Sequence, residues 1–386
     1  MASWRVPLAD VALPEEDIAM VADVYRSGWL SMGPRTAAFE DAFAQFTGAR
    51  HAVAVANGTA ALHLICLAAG LGPGDEAIVP SLTFVASVNA IAYTGARPVF
   101  ADIVALDQSW MSAEAAEAAI TPSTKAIMAV AYGGHPGQSA ELAEVAERHG
   151  LILLEDAAHA SGSRVAGRHL GTLGLGGAFS FFGNKNLPVG EGGAVVTDDE
   201  EFDKRLRLLR SHGITVPTWD RHRGHANSYD VVARGFNYRI DEARAMLAER
   251  LLARLDEENA VRHGLDERYR AGLAGLPGVV VTLAPPAGPG DTPAHHLFTI
   301  VLDASTERDA FRERLAEQGV QTSVHYPPVH GFALYSEDAP PLPLTETYAE
   351  RAVTLPMYAH MTPEQQDVVL EAVSGAVGRR NGSNSA

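Results

Sequence analysis

Lysine is the scarcest charged residue of this sequence. Only Lys125, Lys185 and Lys204 occur in 386 residues, and arginine supplies the rest of the 30 basic side chains. Arginine cannot form a Schiff base with a carbonyl because its guanidinium keeps its proton, whereas a lysine amine can lose its proton and react. A lysine retained between buried segments of this chain is therefore a candidate for covalent chemistry.

Cysteine, net positive charge and long apolar runs are also lacking. Cys66 stands alone, which excludes an internal disulfide and a metal or iron–sulfur site built on several cysteines. The formal net charge of −17 argues against general binding to nucleic acid or anionic membranes, because phosphates attract clustered basic residues. No apolar run approaches the ~20 residues that span a bilayer, and the N-terminus shows no secretory signal. We expect a cytoplasmic protein without a metal.

Apolar strands alternate with helices through the first two hundred residues. Such strands are apolar throughout rather than alternating, which is typical of a mostly parallel sheet covered by helices on both faces. The sequence therefore predicts an α/β fold. The predicted strands are 51–56, 76–79, 97–101, 125–131, 151–155, 178–182 and 194–197. The predicted helices are 15–28, 35–47, 60–70, 83–93, 139–149 and a stretch that ends near residue 212.

The second half of the chain predicts a smaller C-terminal α+β domain. A polar loop, 218–230, precedes a long helical stretch from 241 to about 274. The predicted elements that follow are a strand and then a Pro/Gly loop within 275–296, a strand at 295–303, a helix at 305–318, a strand at 321–326 and a helix at 362–377. We expect a large domain at 1–245, a linking helix and small domain at 246–378, and a disordered polar tail at 379–386.

Lys185 lies in a loop between the predicted strands 178–182 and 194–197. The Gly, Asn and Pro residues of this loop predict a short turn that holds the lysine between buried strands. One interpretation is a surface lysine in a turn. The other is a primary amine that forms a Schiff base.

Asp156 follows an apolar strand at the edge where parallel sheets bind their ligands. A carboxylate there is either a helix N-cap or a buried anion that keeps a pyridinium nitrogen protonated. His159 is either a partner of that group or a histidine of the turn. Gly58 and Thr59 lie between a strand and a helix, where free N–H groups would suit a phosphate or simply form an ordinary N-cap.

Many segments in a fixed order carry a family resemblance. They are SGWLSMGPRTAAFE (27–40), NGTAALHL (57–64), PSLTFVASVNAI (80–91), EDAAHASG (155–162), FSFFGNKNLPVGEGGAVVTDD (179–199), GFNYRIDEARA (235–245), HYPPVH (325–330) and LPMY (355–358). The chain resembles the DegT/DnrJ/StrS sugar aminotransferases nearly from end to end. These are fold type I enzymes that use pyridoxal 5′-phosphate (PLP) in a large cofactor-binding domain.

The resemblance implies a role for each matching residue. Lys185 would form the Schiff base with PLP and move the substrate proton, Asp156 would pair with the pyridinium nitrogen, and His159 would lie near the cofactor's oxygen. The other implied cofactor contacts are Gly58, Thr59 and Ser180 at the phosphate, Phe84 on the ring, and Asn237 from the neighbouring subunit of a homodimer with shared active sites. We further predict substrate contacts for Tyr238, Arg239, His325, Tyr326 and His330.

The resemblance also implies the reaction. Glutamate or glutamine would convert PLP to pyridoxamine 5′-phosphate, which would then aminate a nucleotide-linked keto-deoxysugar in a ping-pong cycle of antibiotic or polysaccharide biosynthesis. The segment SHGITVPTWDR (211–221) resembles members that aminate C4. A keto-cyclitol of aminoglycoside pathways, a sugar aminated at C3, and a non-catalytic regulator or binding module are alternatives. Dehydrating relatives carry a histidine in place of the lysine or cluster-binding cysteines, and both features are missing here.

Overall fold

The computed structural model describes residues 4–216, 228–286, 288–337 and 339–378. The strands of these residues are β1 (His51–Val55), β2 (Glu76–Pro80), β3 (Arg97–Ala101), β4 (Thr124–Val130), β5 (Ile152–Asp156), β6 (Arg164–Val165), β7 (Arg168–His169), β8 (Gly176–Ser180), β9 (Gly193–Thr197), β10 (Val279–Val281), β11 (Phe298–Leu302) and β12 (Ala352–Leu355).

Helices flank these strands in the described part of the chain. They are α1 (Glu15–Ser27), α2 (Pro34–Thr47), α3 (Gly58–Ala68), α4 (Val85–Ala92), α5 (Ala113–Ala118), α6 (Ser139–His149), α7 (Glu200–Arg210), α8 (Glu242–Leu252), α9 (Leu255–Leu273), α10 (Arg308–Glu317), α11 (Pro343–Arg351) and α12 (Pro363–Gly378). None of the described helices is long and apolar enough to cross a membrane.

A mostly parallel seven-stranded sheet forms the centre of the fold, in the order β1-β9-β8-β5-β4-β2-β3. The pairs from β8 through β5, β4 and β2 to β3 are parallel, and β9 is antiparallel to both of its neighbours. The predicted α/β fold is therefore confirmed. Because the strands other than β9 point in one direction, their carboxyl ends meet at one edge of the sheet.

The core lies in two layers, one on each face of this sheet. Successive side chains of β4 enter opposite layers, because side chains of a strand alternate between its faces. Ala126 and Met128 pack on the side of α3, α4 and α7. Ile127 and Ala129 pack on the side of α5 and α6. Burial on both faces explains why these strands read as continuous apolar runs.

A second sheet of three antiparallel strands, in the order β10-β11-β12, lies in the C-terminal part. Its core packs Phe298 and Ile300 of β11 against side chains of α9 and α12, including Tyr269 and Val369. The division of the chain at residues 245 and 246 stays a prediction. Most of the predicted loop 218–230 and the predicted disordered tail 379–386 lie outside the described residues.

Two predicted elements differ from the structure. The helical stretch from 241 to 274 is broken, because Arg254 (φ −115°, ψ 5°) leaves the helical conformation between α8 and α9. This turn lets α8 pack on α1 and α2 while α9 packs on α12. The predicted strand 321–326 is wrong as well. Ser323 forms an isolated bridge with Thr354, and the Gln321 N–H donates to the Val6 carbonyl, but these contacts do not build a continuous strand.

The two-residue strands β6 and β7 had no sequence prediction, and neither had three longer elements. The helix α5, the helix α11 and the strand β12 are short, and each is fixed by its packing partners. The strand β12 is the clearest case, because its four residues pair with β11 and bury their side chains.

Candidate active site

A cavity of about 870 Å³ opens at the carboxyl ends of the parallel strands. Its wall brings together residues that are far apart in the chain, and most of the predicted site residues belong to it. The predicted residues that line it are Gly58, Thr59, Phe84, Asp156, His159, Ser180, Lys185, Tyr238, His325 and Tyr326.

The start of α3 and the end of β8 form one side of this cavity. Asn57 caps α3, since its Oδ1 accepts from the Ala60 N–H at 2.8 Å. The N–H groups of Gly58 and Thr59 have no partner among the described residues, as expected at a helix start. A Cβ on Gly58 would lie 2.7 Å from the Ser180 Cβ, so only glycine allows this approach. The result is a narrow anion cradle of N–H groups beside the Ser180 hydroxyl.

Asp156 is the last residue of β5 and is 5% exposed. Its carboxylate accepts from Ser87 Oγ at 2.6 Å and from the Ala158 N–H at 3.1 Å. Burial raises the pKa of Asp156, while these two donors and the charge of Lys185 oppose that rise. The N-cap interpretation fails, because no helix begins after Asp156 in the described residues 157–199.

Lys185 lies between β8 and β9 and points into the same cavity. Burial lowers the pKa of its amine to about 8, and the carboxylate of Asp156 partly opposes this effect. A substantial fraction of the amine is then neutral near physiological pH, in contrast to an exposed lysine. The structure thus favours the reactive amine over a surface lysine.

His159 has one tautomer defined by its partners. Its Nδ1 accepts from the Gly133 N–H at 3.2 Å, and its Nε2 lies 3.1 Å from the hydroxyl of Tyr326. Because a backbone N–H only donates, the proton of the neutral ring is on Nε2 and is donated to Tyr326. Burial, together with Lys185 and His325, holds the pKa of His159 well below its ordinary value. The hydroxyl proton of Tyr326 is then free to be donated within the cavity.

Phe84 occupies the N-cap position of α4, and its large side chain is 54% exposed. Its ring lies 5.7 Å from the ring of Tyr326, tilted by 54°. An exposed aromatic face at the mouth of a cavity is suited to stacking against a planar ligand.

Three predicted site residues do not line this cavity. Asn237 is exposed and pairs its backbone with Ser211. Arg239 lines a neighbouring pocket of about 550 Å³. His330 is buried, with Nδ1 at 2.6 Å from Ser81 Oγ and Nε2 at 3.2 Å from Glu346. The position of His330 therefore argues against direct substrate contact.

Several polar residues that surround the predicted ones were not predicted from the sequence. Ser87 faces Asp156, and His296 approaches Lys185 with the support of Asn186. Ser87 lies within the segment 80–91, but nothing in that segment indicates a contact with Asp156. His296 adjoins Lys185 because the segment before β11 donates backbone N–H groups to the Gly133 and Gly134 carbonyls, just after β4.

Comparison with known proteins agrees with this geometry. The model of the DegT/DnrJ/EryC1/StrS aminotransferase family matches residues 12–374. The aminotransferase TlmJ from Streptoalloteichus hindustanus is 34% identical and superposes with a TM-score of 0.91 over 98% of this chain and 100% of that one. DesV from S. venezuelae, solved with a ketimine intermediate, is 40% identical, with a TM-score of 0.87 over 96% of this chain and 98% of DesV.

The structure of Spr1654 from Streptococcus pneumoniae in its PLP form is also similar. It is 28% identical and superposes with a TM-score of 0.90 over 98% of this chain and 100% of that one. A PMP form of the same protein is known. The chain therefore belongs to the DegT/DnrJ/EryC1/StrS aminotransferase family. It is a sugar aminotransferase of fold type I, and its cofactor is PLP.

The residues of the cavity fit this cofactor. The narrow cradle formed by Gly58, Thr59 and Ser180 suits its phosphate, and the buried carboxylate of Asp156 suits its cationic ring nitrogen. Lys185 supplies an amine with a pKa of about 8 in the same space.

Proposed function

We propose that this chain transfers an amino group from glutamate or glutamine to a nucleotide-linked keto-deoxysugar, at C4 of the sugar. The observation that carries the proposal is the shared cavity of Lys185 and Asp156, which combines a reactive amine with a buried carboxylate. The family supplies the sugar aminotransferase class. The substrate, carbon position and donor are our inference.

The phosphate of the cofactor would be held without a lysine or arginine side chain. Gly58 and Thr59 offer backbone N–H groups at the positive end of the α3 dipole, and Ser180 offers its hydroxyl. Asn237 would add its amide from the partner subunit. A chain of net charge −17 needs such a local arrangement, because its overall field repels a dianion.

Phe84 and Asp156 would hold the ring of the cofactor, Phe84 by stacking and Asp156 by pairing with the ring nitrogen. When bound, PLP supplies a protonated pyridine ring that accepts electrons from a substrate carbon. The Asp156 carboxylate favours a proton on that nitrogen by direct charge pairing. Ser87 and the Ala158 N–H fix the orientation of the carboxylate.

Lys185 would anchor the cofactor and move a proton. As a free amine, its Nζ would take the proton from the substrate Cα. A pKa near 8 suits this role, since the amine must accept and release a proton at about the same pH.

Tyr326 would orient the oxygen side of the cofactor or substrate. His159 Nε2–H donates to its hydroxyl, so the Tyr326 proton is available for an acceptor in the cavity. Tyr238 and His325 line the cavity beyond this point and are our other proposed substrate contacts.

The proposed amination at C4 rests on the segment 211–221, of which residues 217–221 lie outside the described part. The cavity of about 870 Å³ has room for a sugar beside the cofactor. The decisive experiment converts the enzyme to its pyridoxamine form and offers it keto-sugar nucleotides with the ketone at C4 or C3, together with keto-cyclitols. Return of the PLP spectrum with a C4 ketone alone supports the proposal, whereas turnover of only a C3 ketone or a cyclitol contradicts it.

A further inference from the structure

His296 approaches Lys185 from the C-terminal part of the chain. Its Nε2 lies 3.5 Å from Lys185 Nζ, and the residue is 5% exposed. It comes just before β11, and its backbone N–H donates to the Gly133 carbonyl at 2.9 Å. A buried histidine at this distance from the reactive amine must present either a proton or a lone pair to it.

The neighbouring amides determine which of the two it presents. Asn186 Nδ2 donates to the Ala294 carbonyl at 2.7 Å and to Asn259 Oδ1 at 2.8 Å. A backbone carbonyl only accepts, so the amide nitrogen of Asn186 must face Ala294. Asn259 is oriented in the same way, since its Nδ2 donates to the Ser161 carbonyl at 2.9 Å. The amide oxygen of Asn186 is therefore left for His296.

This oxygen fixes the tautomer of the histidine. His296 Nδ1 lies 3.0 Å from Asn186 Oδ1, which can only accept, so the ring proton is on Nδ1. Burial holds the pKa of His296 well below its ordinary value, and the nearby His159 and Lys185 lower it further. The ring is thus neutral, and its Nε2 lone pair faces Lys185 Nζ.

We propose that His296, held in this tautomer by Asn186, positions Lys185 by accepting a hydrogen bond from its Nζ whenever the amine is not joined to the cofactor. The inference rests on the proposed role of Lys185. During the part of the cycle in which Nζ is free, this hydrogen bond keeps it at one position on the cavity wall. No proton is transferred to His296, because its ring stays neutral while Lys185 remains the group that titrates.

The other titratable groups around Lys185 define the background of the test. Asp156 raises the pKa of the Lys185 amine, while burial lowers it. His159 and His325 are also close enough to interact with its charge, and both are held neutral by burial. A hydrogen bond to Nε2 favours the ammonium over the amine, so its loss must lower the pKa of Lys185.

The scarcity of lysine makes this pKa measurable in the complete protein. The chain has only three lysine amines, those of Lys125, Lys185 and Lys204. The acetylation of a peptide that contains each one can therefore be followed by mass spectrometry. The full chain is loaded with pyridoxamine 5′-phosphate, which leaves Lys185 as a free amine, and is pulsed with acetic anhydride across a pH series. Lys204 is the internal reference, because its exposed amine lies on α7, outside the cavity, where it pairs with Glu200 and Glu201.

We expect His296→Phe to lower the pKa of Lys185 by about one unit, because an acceptor to a charged donor is lost. His296→Gln keeps a side-chain acceptor, so the pKa of Lys185 should fall by no more than half as much as in His296→Phe. This variant also serves if the phenylalanine variant folds poorly. His135→Phe is the matched control. His135 is buried against Trp110 outside the cavity and should leave the pKa of Lys185 unchanged.

The role of Asn186 is tested by a double-mutant cycle. Asn186→Leu alone should also lower the pKa of Lys185, and it should have no further effect in the His296→Phe background. An unchanged pKa in folded His296→Phe, or additive effects of the two substitutions, would overturn the proposal. The measurement needs no turnover, so it can fail while the aminotransferase function stands, and the reverse also holds.

Discussion

At the residue scale, the site depends on two ionisable groups whose surroundings shift their pKa in opposite directions. Burial raises the pKa of Asp156 and lowers that of Lys185, and each partly stabilises the charge of the other. An exposed carboxylate or amine would lack these pKa shifts, because it would not be buried. Each therefore allows a specific prediction.

The first prediction concerns Lys185→Ala. We expect a folded protein that lacks both the visible absorbance of the lysine-bound cofactor and transamination, because no amine remains to hold PLP or to move the Cα proton. The matched control is Lys204→Ala on the exposed face of α7, which should retain the absorbance and the rate. Normal turnover by Lys185→Ala would remove the proposed role.

The second prediction concerns Asp156→Asn. This variant should retain PLP but lose about two or more orders of magnitude in rate, since an amide cannot stabilise the ring cation and ~1.4 kcal/mol corresponds to tenfold. Stopped-flow spectra of the half-reaction with glutamate measure the loss.

The control for Asp156→Asn makes the same chemical change one residue earlier. Glu155→Gln alters a buried carboxylate that accepts from the N–H groups of Gly171, Leu173 and Gly174. It should lower stability and leave the rate nearly unchanged. A loss of less than about tenfold in Asp156→Asn would mean that Asp156 only supports the local backbone.

At the level of secondary structure, the ends of two strands and the start of α3 form one side of the site. β5 ends at Asp156 and β8 ends at Ser180, and the helix α3 follows β1 with two intervening residues. Parallel pairing of β5 with β8 brings the first two ends together. The antiparallel strand β9 lies between β1 and β8 and lets the start of α3 reach Ser180.

The third prediction tests the close approach of α3 to β8. Gly58→Ala places a Cβ 2.7 Å from the Ser180 Cβ, so the helix start must move away from the hydroxyl. Overpacking of this kind costs about 1–3 kcal/mol, so we expect PLP affinity to fall by about tenfold or more. Titration of the apoprotein with PLP measures the change.

Gly264→Ala is the control for the third prediction. Gly264 lies within α9, and a Cβ there meets no atom within 4 Å. This variant should bind PLP with unchanged affinity. Equal affinities for Gly58→Ala and the parent protein would argue against a phosphate cradle at the start of α3.

For the molecule as a whole, the open question is where Asn237 acts. It is our proposed phosphate contact, but it does not line the cavity of its own chain. Asn237 is also exposed. A homodimer in which each chain lends this residue to the other would satisfy both facts. Such an arrangement is symmetric, so each subunit gives and receives the same side chain.

The fourth prediction tests this exchange by mixing two inactive variants, Lys185→Ala and Asn237→Asp. In a mixed dimer one site receives both lesions and the other receives neither. Activity should return to about half of the parent value per mixed dimer, or about a quarter after random exchange. Each variant incubated alone is the control. If Asn237 served its own chain, every site would keep one lesion and no activity would return.

The α/β fold could be predicted from the sequence, and so could the position of Lys185 and Asp156 in one cavity. Continuous apolar strands and helical spacing are local features that depend on the burial each segment needs. The rarity of lysine is a feature of the whole composition. Lys185, Asp156 and the Gly58-Thr59 start of α3 follow such strands, so their common position at one edge of the sheet could be predicted.

Features that depend on packing between distant segments could not be predicted in this way. Arg254 breaks a stretch that reads as one helix, since α8 and α9 pack on different parts of the protein. The ring nitrogens of His330 contact Ser81 and Glu346, and His330 does not line the cavity. His296 reaches Lys185 through hydrogen bonds between residues about one hundred positions apart, and no local pattern encodes such distances.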